Sequence, residues 1–181
     1  MKKKLLRSAV ELLSICALIL LDQYTKLWAV NTLKDQPAIP IIPKVLEFYY
    51  LPNGNTGAAF GILAGQKSLF LVISTAVILV MLYLLFQMPY AKRYRWLNVL
   101  IICIAAGGAG NMLDRIRLNY VIDFIYISAI NFPIFNVADC YVSVSTVLLA
   151  LLMLFYYKEA DLVLLEKEMK KPFNKKKDEE A

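Results

Sequence analysis

Long runs of apolar positions, broken by short polar segments, dominate this chain. Ser68 to Met88 (SLFLVISTAVILVMLYLLFQM) carries no charge over 21 residues, enough for a helix to cross a hydrocarbon core of about 30 Å. Trp96 to Met112 and Tyr141 to Tyr157 are two further uncharged blocks. A fourth, Ala9 to Ala29, is uncharged only from Leu12 to Leu21 and carries Glu11, Asp22 and Lys26 toward its ends. The pattern predicts four membrane-spanning helices, at about 9–29, 68–88, 96–112 and 140–157. The basic start MKKKLLR gives the first block the look of a secretory signal, but no small-x-small site closes it. Ile15 also stands where a lipobox needs a small residue before Cys16. The segment is therefore read as a retained span.

Between the first two spans lies Asp35 to Phe60 (DQPAIPIIPKVLEFYYLPNGNTGAAF). Its prolines block a helix, its β-branched and aromatic residues favour short strands, and PNGN is a turn signal. A small β-cradle over about 35–60 is expected, with Tyr49 and Tyr50 at the water–lipid boundary. No internal repeat is present. The chain thus reads as an all-α integral membrane protein, with one membrane domain over 1–157. A charged tail, 158–181, continues as a helix and loses order after Pro172.

Composition agrees with this picture: 60% of the 181 residues are hydrophobic and 19% are charged. Charge sets orientation. Of the 20 Lys and Arg residues, 14 fall in the N-terminus, the link between spans two and three, and the tail. Basic residues stay on the cytoplasmic side, so both termini are expected to be cytoplasmic, with segments 30–67 and 114–140 outside. The net charge of +6 then reflects topology and attraction to anionic lipid, with no call for nucleic acid. Cys16, Cys103 and Cys140 form no pairing pattern and are expected to be free, buried thiols.

The chain has no histidine. That removes the commonest general base, Ser-His and Cys-His nucleophile pairs, and histidine metal sites. Neither metal nor cofactor is expected. What remains is a set of ionisable residues near the outer boundary, where each is expensive and needs a reason. Asp22 and Lys26 are four apart on a helix and can pair. Asp114 and Arg115 are consecutive, must point to different partners, and suit the pinning of a loop or pairing with other charges. Asp123, in YVIDFIY, and Asp139, in IFNVADCYV, have no basic residue within four positions. A carboxyl embedded in apolar sequence holds its proton more tightly. If two such groups meet, they share a proton, and one acts as base while the other acts as acid. Polar amides gather on the same side: Asn55, Asn111 and Asn136 can hold a peptide backbone or orient a carboxylate without adding charge. The small run Ala105 to Asn111 (AAGGAGN) suits close helix approach.

Five motifs, DQYTK (22–26), NTGAAF (55–60), GGAGNMLDR (107–115), VIDF (121–124) and FNVAD (135–139), resemble in order and spacing those of lipoprotein signal peptidase, also called signal peptidase II. The match runs from about Asp22 to Tyr141. The resemblance implies an intramembrane aspartic endopeptidase of the bacterial cytoplasmic membrane, acting at its outer side. It implies cleavage of diacylglyceryl-modified prolipoproteins just before the lipidated cysteine, and sensitivity to cyclic peptides of the globomycin type. Its catalytic pair would fall on Asp123 and Asp139. Asp22, Lys26, Asn55, Gly57, Asn111, Asp114, Arg115, Asn136 and Ala138 would orient substrate or support the pair. A monomer is expected. Two positions depart from the family pattern. Asn119 replaces a usual glycine, which asparagine can do in left-handed backbone. YLPNG adds a turn-forming pair before NTGAAF, so cradle contacts there are not carried over.

Two rival readings stay open. A proton-coupled transporter would place its ionisable groups near mid-bilayer and show repeat symmetry. A non-catalytic relative that only binds lipoproteins could keep the same pair of aspartates.

Overall fold

The computed structural model describes residues 2–57, 66–89 and 91–170. Helix α1 (Lys2–Leu33) leads into strands β1 (Ile39–Ile42) and β2 (Leu46–Phe48). Then come α2 (Lys67–Gln87), α3 (Arg95–Leu118), β3 (Ile125–Tyr126), α4 (Val137–Leu151) and α5 (Glu159–Met169). A wider π-helical stretch, Leu152–Tyr156, prolongs α4. Among the described residues, three segments are long and apolar enough to cross a membrane: Lys67–Gln87, Lys92–Leu118 and Val137–Tyr156. α1 is longer, at 32 residues, but places Glu11, Asp22 and Lys26 within its length.

α3 lies at the centre and packs against α1, α2 and α4. Its small residues make this possible. A Cβ on Gly107 would sit 2.5 Å from the Ala138 carbonyl oxygen, and one on Gly110 would sit 2.6 Å from Asp22 Oδ2. The AAGGAGN run thus admits α4 on one side and the polar groups of α1 on another. At the far end Leu85, Tyr94, Leu97, Ile101, Tyr157 and Leu165 share one apolar cluster. The charged tail helix expected from sequence is α5, held there by Asp161, which takes two bonds from Arg93 at 2.6 and 3.1 Å.

The sheet is antiparallel in the order β1-β2-β3. Its third strand comes from Ile125–Tyr126, beyond the 35–60 segment in which strands were expected. The pairing continues past the strands. Tyr49 N–H donates to Phe124 O at 2.9 Å and Leu51 N–H to Asp123 O at 3.0 Å. Asn55 and Val121 exchange two bonds of 2.9 Å. The backbone around Asp123 is therefore held by the cradle. The added turn at Asn53 and Gly54 runs in left-handed backbone, with φ of 64° and 68°. A side chain on Gly54 would meet the Tyr120 ring at 2.0 Å, so only glycine fits. Asn119 ends α3 at φ 71°, the left-handed conformation expected of it.

The three cysteines are free, but Cys16 is exposed and Cys103 and Cys140 are half-buried. The expectation of burial is met in part at Cys103 and Cys140 and fails at Cys16, which lies on an outward apolar face of α1 with Leu12 and Leu20. Ala58 to Phe60 of the NTGAAF motif, and the loss of order expected after Pro172, lie outside the described residues.

Candidate active site

The site is assembled from α1, α3, α4 and the cradle-bound segment before β3. Lys26 is 1% exposed, and Asp22 and Asp114 are 0% and 2% exposed. Lys26 Nζ lies 2.9 Å from Asp22 Oδ2 and 2.9 Å from Asp114 Oδ2. The Asp22–Lys26 pairing follows from their i,i+4 spacing on α1. Asp114, in the last turn of α3, does both things foreseen for it. It pairs with Lys26, and it accepts the Ile122 N–H at 3.3 Å, pinning the segment that carries Asp123. Asp22 Oδ1 accepts the Ala138 N–H at 3.0 Å. Ala138 is fully buried, and its small size lets α4 seat there.

Above this ion cluster sit Asp123 and Asp139, joined through Asn136. Asn136 is the N-cap of α4 and Asp139 its N3 residue, so FNVAD encodes a capping box. Asn136 Oδ1 accepts the Asp139 N–H at 3.0 Å, and Asp139 Oδ2 accepts the Asn136 N–H at 3.1 Å. The Asn136 amide then donates to Asp123 Oδ1 at 2.6 Å. Asn55 donates to Asp123 Oδ2 at 2.9 Å, and Asn111 donates to Asp139 Oδ1 at 2.7 Å.

The three amides share one logic. Each oxygen faces an obligate donor, which fixes the flip of the group. For Asn55 the donor is Gly57 N–H at 2.9 Å; for Asn111 it is Lys26 Nζ at 2.9 Å; for Asn136 it is Asp139 N–H. Every NH2 is thereby turned onto a carboxylate. Asn111 Oδ1 also accepts from Asn136 Nδ2 at 3.0 Å, so the ion cluster and both carboxylates form one network. Arg115 donates to Gly57 O at 3.0 Å.

Asp123 is 1% exposed. Burial, then the charge of Asp139, pushes its carboxyl up to about 7, against the pull of Asn55, Asn136 and Lys26. Asp22, Asp114, Asp123 and Asp139 are four buried or half-buried carboxyls facing two buried cations, Lys26 and Arg115. A pair of carboxyls in that balance can keep one proton between them.

All the residues singled out from sequence are thus in or against one cluster. Sequence reasoning missed Gln23, whose amide donates to Asp114 Oδ1 at 2.8 Å and Asp22 Oδ2 at 3.2 Å. Its place inside DQYTK was the available signal. Gly110 was read only as a packing residue, yet it also makes room for Asp22.

Charged groups are buried here while Leu20, Leu79, Val147, Leu154 and Phe155 face outward. That inversion defines a helical protein whose solvent is lipid, built around buried carboxyls. The family model described as Signal peptidase (SPase) II matches residues 14–155. The chain belongs to that family, and is therefore a peptidase. Among its relatives, lipoprotein signal peptidases of Streptococcus pyogenes serotypes M5 (strain Manfredo) and M18 (strain MGAS8232) are each 40% identical over 161 residues. Each match covers 89% of this chain and 98% of the relative. The fold is similar to two solved structures of a bacterial membrane enzyme obtained by the in meso method. One, at 2.3 Å resolution, is 27% identical with a TM-score of 0.68 over 83% of this chain and 93% of that one. The other, at 1.9 Å, is 29% identical with a TM-score of 0.68 over 82% and 95%.

Proposed function

We propose that this protein is an intramembrane aspartic endopeptidase that removes the signal peptide from diacylglyceryl-modified prolipoproteins, cutting just before the lipidated cysteine. Asp123 and Asp139 are its catalytic pair. The observation that carries the reading is the junction at Asn136, which donates to one carboxylate through its side chain and to the other through its backbone. The names of the relatives support the substrate class.

The chemistry needs no cofactor. The ionised carboxylate takes a proton from water as the water oxygen attacks the carbonyl carbon before the cysteine. The protonated carboxyl gives its proton to the carbonyl oxygen. As the C–N bond of the tetrahedral diol breaks, the carboxyl that took the water's proton gives it to the departing amine, and the other carboxylate takes back a proton from a diol hydroxyl. Asn55, Asn111 and Asn136 hold the carboxylates through this exchange, and the Lys26 cluster fixes Asn111. Arg115 and Gly57, joined by their own hydrogen bond, are assigned to orienting the scissile backbone.

We place α1 as a fourth span beside α2, α3 and α4, with both termini cytoplasmic and the cradle outside, in the bacterial cytoplasmic membrane. Residues 1–157 form the peptidase domain and 158–181 a cytoplasmic tail. The 14 basic residues of the N-terminus, the α2–α3 link and the tail support that orientation. Substrate enters laterally from lipid, the enzyme acts as a monomer, and cyclic peptides of the globomycin type inhibit it.

A gel-shift assay in detergent tests this. Wild type should cleave the diacylglyceryl-modified precursor and leave the unmodified one. Asp123→Asn and Asp139→Asn should each abolish cleavage while keeping the fold. Cleavage retained by either variant defeats the mechanism. Binding without cleavage by wild type would favour the non-catalytic relative.

A further inference from the structure

The first turn of α2 touches the second cation of the site. Arg115 Cζ lies 4.6 Å from the centroid of the Phe70 ring. Its Nη2 donates to Gly57 O at 3.0 Å and its Nη1 to Asn111 O at 3.5 Å. The residue is 9% exposed, and among the described residues no ion pair reaches it. A desolvated guanidinium without a contacting carboxylate needs other partners. Two carbonyl dipoles take N–H groups in its plane, and an aromatic face takes the surface of the plane itself.

The helix that carries this ring is tied to α3 along its length. Lys67, one turn from Phe70, donates to Asn119 Oδ1 at 2.6 Å. Further along, Thr75 Oγ1 meets Met112 Sδ at 3.5 Å, and Ile78 lies 3.5 Å from where a Cβ on Gly108 would be. Positions 108, 112, 115 and 119 form one stripe of α3, and α2 runs down that stripe antiparallel. The seam between two helices therefore sets where the ring lies, and the ring sets where the guanidinium lies.

We propose that Phe70 is a positioning residue for the proposed peptidase: its ring holds the Arg115 guanidinium against Gly57 and beside the Asn111 backbone. Arg115 is four residues from the amide that serves Asp139, so a displaced guanidinium alters the face that meets the scissile backbone. This rests on the peptidase reading given above.

Two measurements test it. In the cleavage assay, Phe70→Leu should lower kcat/KM about tenfold, the effect of losing a desolvated cation–ring contact, while Phe70→Tyr stays within about twofold of wild type. In an Arg115→Gln background, Phe70→Leu should cost little more, because the group it positions is gone. Independently of activity, the Arg115 side-chain N–H resonances of isotope-labelled protein should lie upfield under the ring current. They should return toward ordinary positions in Phe70→Leu and stay shifted in Phe70→Tyr. Unchanged resonances, or equal losses in both backgrounds, would overturn the role. Absence of cleavage by wild type would count against the proposed function itself, and the resonances would then decide the contact alone.

Discussion

The Asn136 amide lies 2.6 Å from Asp123 Oδ1, while the same residue's backbone N–H lies 3.1 Å from Asp139 Oδ2. One asparagine therefore caps a helix and joins two carboxyls. Asn136→Ala should remove the cap, costing about 1 kcal/mol of stability. It should also remove a bond that favours ionised Asp123, so the pKa of that carboxyl should rise further and the alkaline limb of the pH–activity profile should shift upward. Cleavage should fall by up to about a hundredfold, the scale for displacing a reacting group by about 1 Å. A profile that shifts downward, or not at all, would contradict the bond's assigned effect.

Asp123 gives a second pH prediction. Its carboxyl moves from an ordinary value of 3.8 to about 7 in the folded chain, by burial first and the Asp139 charge next. Folding therefore takes up a proton in that interval. The stability contributed by the proton is complete below the lower value and is lost as pH rises through the upper one. Thermal unfolding in detergent should show wild type losing stability relative to Asp123→Asn as pH rises between roughly 4 and 7. Parallel curves for the two proteins would refute this. Cleavage should likewise decline above about pH 7, as the pair loses its shared proton.

Lys26 is the only cation within ion-pair reach of Asp22 and Asp114 among the described residues. Lys26→Met should strand both buried carboxylates and cost about 3–5 kcal/mol. Asp22→Asn should cost less, because Lys26 keeps Asp114. The double variant Asp22→Asn/Lys26→Met should recover part of the loss. Unfolding midpoints of the three proteins would check the order, and a harmless Lys26→Met would show that the triad carries little.

The glycines of α3 should separate cleanly. A methyl on Gly110 would meet Asp22 Oδ2 at 2.6 Å, and one on Gly107 would meet the Ala138 backbone oxygen at 2.5 Å. A methyl on Gly108 would find Ile78 at an ordinary 3.5 Å. Gly110→Ala and Gly107→Ala should therefore lower stability and activity, overpacking typically costing about 1–3 kcal/mol. Gly108→Ala should be neutral or slightly stabilising, since it relieves the helix of a flexible residue. Expression and melting temperature of the three variants would suffice.

Much of the site is legible in the sequence. Ionisable residues in apolar blocks mark themselves, because lipid gives them no other reason to be there, and Asp22, Lys26, Asp123 and Asp139 were found that way. The i,i+4 pair on α1 follows from helix geometry alone. Other features left no local trace. β3 is two residues long, too short for any periodicity, and is a strand only because β2 pairs with it. Phe70 reads as one more apolar residue of a span; its ring matters through Arg115, 45 positions away and brought near by the α2–α3 seam. The FNVAD motif pointed to an acid but not to its capping box. That box does two jobs, ordering the start of α4 and aiming Asp139, and a spacing of three serves both.

The Ala138 N–H closes onto Asp22 across 116 residues of chain. The earliest-made carboxylate of the site is thus completed by one of the last-made backbone groups. A chain that stops short of α4 lacks the Ala138 donor to Asp22, the Asn136 cap and Asp139. The buried carboxylate on α1 therefore has its full set of donors only once the start of α4 is in place.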